Sequence, residues 1–179
     1  AGAGCRCGAV PAGLAGAAAP QDAELPLANR SDAAIFQRYL ETCRAIRAMP
    51  SADALVSLQL GSDRLVLRPS FARPFGDLEM RALVALLEDE GGLKLAGIRH
   101  LDLSSCSLGP AGILLLAYLL RHPRCGLEYV DVSNQNMGRQ GARSLALAVG
   151  RLQSLAVLRM RFCHLGDSGG ELFRQMLEN

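Results

Sequence analysis

His100, Asp102 and Ser104 occupy alternate positions of one short stretch, and they are the three residue types of a hydrolytic triad. On a strand, alternate residues share a face but sit roughly 6.6 Å apart, at ~3.3 Å rise per residue. A triad needs its nucleophile, base and orienting carboxylate in hydrogen-bond succession, so the trio is read as ordinary surface positions of one strand. Cys5 and Cys7 form a C-x-C pair with no second half-site of His or Cys nearby, so no metal is expected there. Cys163 and His164 make half a site whose members should diverge, one toward an inward corner and one outward. Gly91-Gly92 and the recurring L-G-x-x-G turns match neither G-x-x-x-x-G-K-S/T nor G-x-G-x-x-G, so no phosphate cradle is expected. The expectation is no enzyme, no catalytic residue, no cofactor, no metal and no small-molecule substrate.

The elements that position these residues follow from composition and period. The 179 residues suffice for one domain or a handful of stacked repeats. Half are apolar, yet Trp is absent and there are only 3 Tyr and 5 Phe, so Leu, Ala and Val must fill the core. Nineteen basic residues against 17 acidic ones leave a formal charge of +2, too small an excess to favour nucleic acid. Only Lys94 among the basic residues is Lys; this Arg bias fits bidentate carboxylate contacts but is read first as the mark of a GC-rich genome. Six scattered cysteines form no secreted framework and read as reduced thiols of an intracellular protein. No apolar run approaches the ~20 residues of a membrane span.

Residues 1–30 form an Ala/Gly-rich stretch with a single charge before Asp22, Arg6, and are expected to be a flexible leader. Its lack of acids would also fit the remnant of an organelle-targeting segment, which keeps a mitochondrial location open. Asn29-Arg30-Ser31 matches a glycosylation sequon by chance. Organisation begins at Ser31-Asp32 as an N-cap, after which Ile35, Tyr39, Cys43 and Ile46 share a helical face until Pro50. A second short helix opened by Pro50, Ser51 and Asp53 would carry Leu55, Leu58 and Leu60 toward the core. These leucines could also be a degenerate strand, but the next segment fits a strand better. Residues 31–60 are thus expected to be a helical N-terminal cap.

From Ile98 the sequence repeats. Ile98, Leu101, Leu103, Cys106, Leu108, Gly109 and Gly112 are followed 29 residues later by Leu127, Val130, Val132, Gln135, Met137, Gly138 and Gly141. After a further 28 come Leu155, Leu158, Met160, Cys163, Leu165, Gly166 and Gly169. Behind each block lies a helical pattern: Leu115, Leu116, Leu119 and Leu120; then Leu145, Leu147 and Val149; then Leu172, Phe173, Met176 and Leu177. Alternating residues such as Leu101 and Leu103 point inward from a short strand, the ninth position turns the corner, and Gly at the twelfth permits a tight turn into the helix. One such unit cannot bury its apolar face, so neighbours must stack into a parallel sheet. An earlier, irregular unit threads Leu65 and Leu67 as strand positions and Leu83, Leu86 and Leu87 as helix positions. It carries insertions at Pro69–Pro74 and at Glu88–Gly97, with Glu88-Asp89-Glu90 read as a solvated helix end.

The pattern L-x-x-L-x-L-x-x-C/N-x-L-G-x-x-G resembles the ribonuclease-inhibitor class of leucine-rich repeats, with Cys106, Gln135 and Cys163 at the alternating Cys/Asn corner. Gln135 stands where that class has Asn, which puts its corner hydrogen bonds in question. The resemblance covers residues 61–179. It implies an α/β fold: a right-handed leucine-rich-repeat solenoid, or horseshoe, of about four repeats, with short parallel strands on the concave face and helices on the convex face. The preamble Phe36, Tyr39, Cys43 and Pro50 is similar to the helical cap of centrosomal and ciliary leucine-rich-repeat proteins.

Register then gives the concave face: Arg64, Val66 and Arg68; His100, Asp102 and Ser104; Tyr129, Asp131 and Ser133; Val157, Arg159 and Arg161. Acids occupy the middle strands and arginines the outer ones, with Tyr129 as the best aromatic anchor. The last strand, Ala156–Arg161, should leave an edge exposed at Val157 and Phe162, for another protein to cover. The expected function is a noncatalytic protein–protein interaction scaffold, a structural subunit of a cytoskeletal assembly such as an axoneme or centriole, in the cytoplasm or cilium. An accessory subunit of a mitochondrial complex, or a regulatory binder resembling a ribonuclease inhibitor or GTPase-activating repeat protein, are the alternatives. Its expected partners are the other proteins of a multisubunit assembly.

Overall fold

A computed structural model describes residues 30–70, 72 and 74–178. The expected leader, with Cys5, Cys7 and Asn29, lies outside the described residues, as do the side chains of Ile35, Met176 and Leu177.

Six helices and four strands alternate: α1 (Arg30–Ile46), α2 (Ala52–Gln59), β1 (Arg64–Val66), α3 (Asp77–Gly97), β2 (His100–Asp102), α4 (Pro110–Leu120), β3 (Tyr129–Asp131), α5 (Gly138–Val149), β4 (Val157–Arg159) and α6 (Gly166–Glu178). The strands form one parallel sheet in the order β1-β2-β3-β4. Leu65, Leu101, Val130 and Leu158 pair across it in sequence. Each strand is followed by a helix, and α3 through α6 pack in succession. The core is the leucine ladder between sheet and helices: Leu65 and Leu67, Leu101 and Leu103, Val130 and Val132, closed by Leu83, Leu87, Ile113, Leu116 and Leu145.

Helix α1 does not start at a Ser31 cap but already runs at Arg30. It stops before Pro50: Arg47 enters the left-handed region at φ 57°, its N–H donates to the Arg44 carbonyl, and the Ala48 N–H donates to the Cys43 carbonyl. That crossed pair satisfies the carbonyls of the last turn. Tyr39 and Cys43 are buried on its inner face, and the Tyr39 hydroxyl accepts from the Ser51 N–H at 3.1 Å. Ser51 caps α2 by accepting from the Ala54 N–H. Ala54 and Leu58, four residues apart, bury toward β1, whereas Leu60 is 78% exposed, against the inward placement expected of it. Two residues along a helix is about 200° of rotation, so Leu58 and Leu60 cannot share a face. Leu147 is exposed for the same reason, opposite the buried Leu145; Ala142, Ala146 and Ala148 complete the inner face of α5 instead.

The acidic run Glu88-Asp89-Glu90 is not a helix end, because α3 continues through Gly91 and Gly92 to Gly97. Leu95 and Ile98 are buried beyond it, and anchoring a late turn this way offsets the roughly 1 kcal/mol per Gly of lost helix propensity. Among the twelfth-position glycines, Gly138 is left-handed at φ 59°, but Gly109 is extended at φ −90°. There smallness serves a hydrogen bond: the Asp77 carboxylate accepts from the N–H groups of Gly109 and Gly112 at 2.7 and 2.9 Å, and a Cβ on Gly112 would run into it.

Candidate functional site: the open face of the sheet

The corners fix what the sheet can display. Gln135 is buried, its Nε2 donating to the Leu103 carbonyl at 2.7 Å and the Ser133 carbonyl at 3.1 Å, while its Oε1 accepts from the Leu108 N–H at 2.9 Å. Gln therefore joins its own unit to the preceding one with a full set of corner bonds. Cys163 does less at the same position: its thiol points to the carbonyls of Val132 and Arg161. Burial pushes the Cys106 thiol up to about 12, which keeps it neutral and apolar. His164 is exposed and left-handed at φ 33°, so it diverges from buried Cys163 as expected.

Opposite the helices, side chains from the four strands stand in three rows. In the first row His100 and Tyr129 pair across β2 and β3, and their rings stack at 3.9 Å between centroids with 4° between planes. The Arg159 guanidinium lies 5.4 Å from the Tyr129 ring centroid, within cation–π reach. Tyr129 is thereby held between strands on both sides. Its hydroxyl donates to Asp131 Oδ2 at 3.3 Å, and burial followed by the Asp131 charge raises its phenol above the ordinary value. Burial, then the Arg64 charge, lowers His100, which favours neutral imidazole on the stack.

The second and third rows are partly structural. Asp102 Oδ1 accepts from the Ser104 N–H, and Asp131 Oδ1 accepts from the Ser133 N–H, each at 2.9 Å. Each carboxylate thus turns its own strand end, as an Asx turn does. Ser133 Oγ accepts from the Arg161 N–H at 3.1 Å. Asp131 and Ser133 are accordingly buried, not freely displayed. His100 and Ser104 have no mutual contact; His100 is stacked on Tyr129, and Asp102 is occupied by backbone.

The arginines behave differently. Arg64, Arg68, Arg159 and Arg161 are exposed, and none forms an ion pair with another described residue. At the β4 side Val157 is 42% and Phe162 81% exposed. Among the described residues nothing pairs with the outer edge of β4, which is a strand of three residues, shorter than the expected Ala156–Arg161.

Ser105, Asn134 and Phe162, the eighth position of three successive units, are all left-handed, with φ of 61°, 60° and 54°. Asn tolerates that region, so Asn134 marks the turn; Phe does not. In the first unit the register puts Pro69 there, and a proline ring fixes φ near −65°, so this unit cannot turn the same way.

Among the described residues no group of His, Cys, Asp and Glu is arranged to hold a metal ion, and no helix is long and apolar enough to cross a membrane. A family model described as a leucine-rich repeat matches residues 98–117 and 151–173. Human NACHT, LRR and PYD domains-containing protein 12 is 34% identical over 82 residues, which are 46% of this chain and 8% of that protein. The chain thus spans a small part of the length of this relative. It carries leucine-rich repeats, units that generally mediate protein–protein interaction and are typically noncatalytic.

Proposed function

We propose that the chain is a noncatalytic protein-binding scaffold of the ribonuclease-inhibitor type, with residues 31–60 as a helical cap, 61–179 as the repeat domain and the concave sheet face as the contact surface. The supporting observation is the ring stack His100–Tyr129 with Arg159 over it, set among four arginines that no described carboxylate engages. A stacked, half-buried tyrosine loses little side-chain freedom when a partner covers it, and a guanidinium without an internal carboxylate is available to a foreign one. The setting we favour is a cytoskeletal assembly of the axonemal or centriolar kind, where the chain would be one structural subunit among several. The Phe36, Tyr39, Cys43 and Pro50 preamble supports that setting. A second reading, a regulatory binder, is favoured by the similarity to a human protein whose name sets LRR beside NACHT and PYD domains.

Affinity purification of the tagged chain from its native cells, washed at high salt and compared with Tyr129→Ala, tests both. Tubulin-associated proteins recovered with the parent and lost with Tyr129→Ala are expected. Signalling proteins would establish the regulatory reading, and respiratory or ribosomal subunits an organellar one. Partners retained in full by Tyr129→Ala would overturn the concave face as the contact surface.

A further inference from the structure

Phe162 is a residue the fold itself does not favour. It occupies the left-handed corner that Ser105 and Asn134 fill in the two preceding units. There Cβ crowds the following carbonyl oxygen, a conformation rare for bulky residues. Burial does not compensate, because the ring is 81% exposed. Backbone requirements would be met better by Asn, as at Asn134.

The arginines beside Phe162 make no ion pair with a described residue, although Arg159 lies over the Tyr129 ring. Arg161 contributes only its backbone to the sheet, its N–H donating to Ser133 Oγ and its carbonyl accepting from the Asn134 N–H. Its guanidinium and that of Arg159 are exposed, without an ion pair to any described residue. These residues, with Asp131, Ser133 and Asn134, line a depression of about 250 Å³. Asp131 does not neutralise the two arginines by pairing: Oδ1 is engaged by the Ser133 N–H and Oδ2 by the Tyr129 hydroxyl. A strained, exposed aromatic ring beside two guanidiniums without an ion pair to a described residue therefore borders a depression whose carboxylate oxygens already accept hydrogen bonds.

We propose that Phe162, Arg159 and Arg161 dock an acidic peptide segment of a partner protein. An apolar side chain of that segment lies on the Phe162 ring, and its carboxylates take the two guanidiniums. The proposal rests on the protein-binding reading and adds the partner's chemistry. Planar guanidinium forks match carboxylates in pairs, and apolar contact with Phe162 accounts for retaining a ring at a left-handed corner. Nucleic acid is disfavoured, because a phosphate backbone repeats its charge at short intervals while the depression offers two cations.

The test is selection of a random peptide library displayed on phage against the full 179-residue chain, with the enriched peptides synthesised and titrated by fluorescence anisotropy. Enriched sequences should carry Asp or Glu around one aromatic or aliphatic residue. Their affinity should fall at least about tenfold both with Phe162→Asn and with the double variant Arg159→Glu, Arg161→Glu. Phe162→Asn should melt at the same temperature as the parent or higher, since Asn suits the corner; a lower melting temperature would make Phe162 a structural residue and overturn the proposal. No enrichment, enrichment of Lys/Arg-rich peptides, undiminished binding by Phe162→Asn, or displacement of the peptides by a single-stranded oligonucleotide would each overturn it too. Peptides released by Tyr129→Ala but not by Phe162→Asn would leave the protein-binding reading standing while this inference fails.

Discussion

The two outermost strands of the sheet carry the same inward pattern and end in opposite conditions. Leu65 and Leu67 of the β1 unit are 1% and 3% exposed, whereas Leu158 and Met160 at the same register in the β4 unit are only half-buried. Both strands have a single strand neighbour. The difference is α2, which buries Ala54 and Leu58 beside β1 and sends the Asp53 carboxylate to the Arg68 N–H at 2.9 Å. Across β4 no described element does the same. An inward-facing leucine in a stacked repeat is thus sealed by the elements on both sides of its strand, and its burial follows what covers each side.

The largest effect expected from that contrast is on stability. Leu67→Ala should cost about 2–5 kcal/mol, the range for truncating a well-packed core leucine. Met160→Ala, at the equivalent position of the uncovered unit, should cost about 1 kcal/mol, since part of its side chain is already wet. Urea unfolding of the two variants beside the parent gives the difference directly, provided the denaturant slope is unchanged. Equal losses would break the comparison, because they would mean that something covers β4 in solution.

The corner residues sharpen it at the next scale. Gln135→Ala strands the Leu108 N–H and takes one of two donors from each of the Leu103 and Ser133 carbonyls, which keep the Cys106 and Ser105 N–H groups, so it should cost about 3 kcal/mol at roughly 1 kcal/mol for each lost bond. Cys163→Ala removes two weak thiol contacts at the uncovered end and should cost about 1 kcal/mol, read in the same unfolding series. A smaller effect should follow from Asp53→Ala, which frees one N–H at the rim of the covered strand. Amide exchange should quicken at Arg68 with the interior amides unchanged, and a loss of about 0.5–1 kcal/mol is expected.

Much of this architecture is legible in the sequence because its signals are periodic. A strand period of two, repeated at intervals of 29 and then 28 residues, places Leu101, Leu103, Val130 and Val132 inside and His100, Asp102, Tyr129 and Asp131 on the other face. The misplaced residues are those where strand spacing was carried onto a helix: Leu145, Leu147 and Val149 alternate, and a helix turns alternate residues to opposite sides. The extension of α3 past Gly91 and Gly92 was hidden because tertiary anchoring by Leu95 and Ile98 overrides propensity. On the site itself, register places the residues in rows but cannot tell a displayed side chain from one committed to backbone. Asp131 and Ser133 are engaged by hydrogen bonds, while Arg159 and Arg161, one strand over, are not. The left-handed corner at Phe162 was missed because phenylalanine is the residue type least suggestive of one.

The finest test of the asymmetry is the titration of His100, which stands on β2 between Arg64 of β1 and Tyr129 of β3. Its value is lowered from 6.5, chiefly by burial and then by the Arg64 charge, with Asp102, Asp63 and Asp131 opposing. A base lowered on folding takes up its proton first in the unfolded chain. Its contribution to stability is therefore present above pH 6.5 and is lost as the pH falls from there through the folded value. The imidazole resonances followed by NMR should give a midpoint below that of an unfolded peptide. Arg64→Ala should move the midpoint upward by part of the gap and not the whole, because burial against Tyr129 remains. Arg159→Ala, on the uncovered side, should leave it where it is, since Arg159 meets the far side of Tyr129 and is not among the charges acting on His100. A full return to 6.5 in Arg64→Ala would make charge the controlling cause, and the stack with Tyr129 would then be too open to exclude water from the ring.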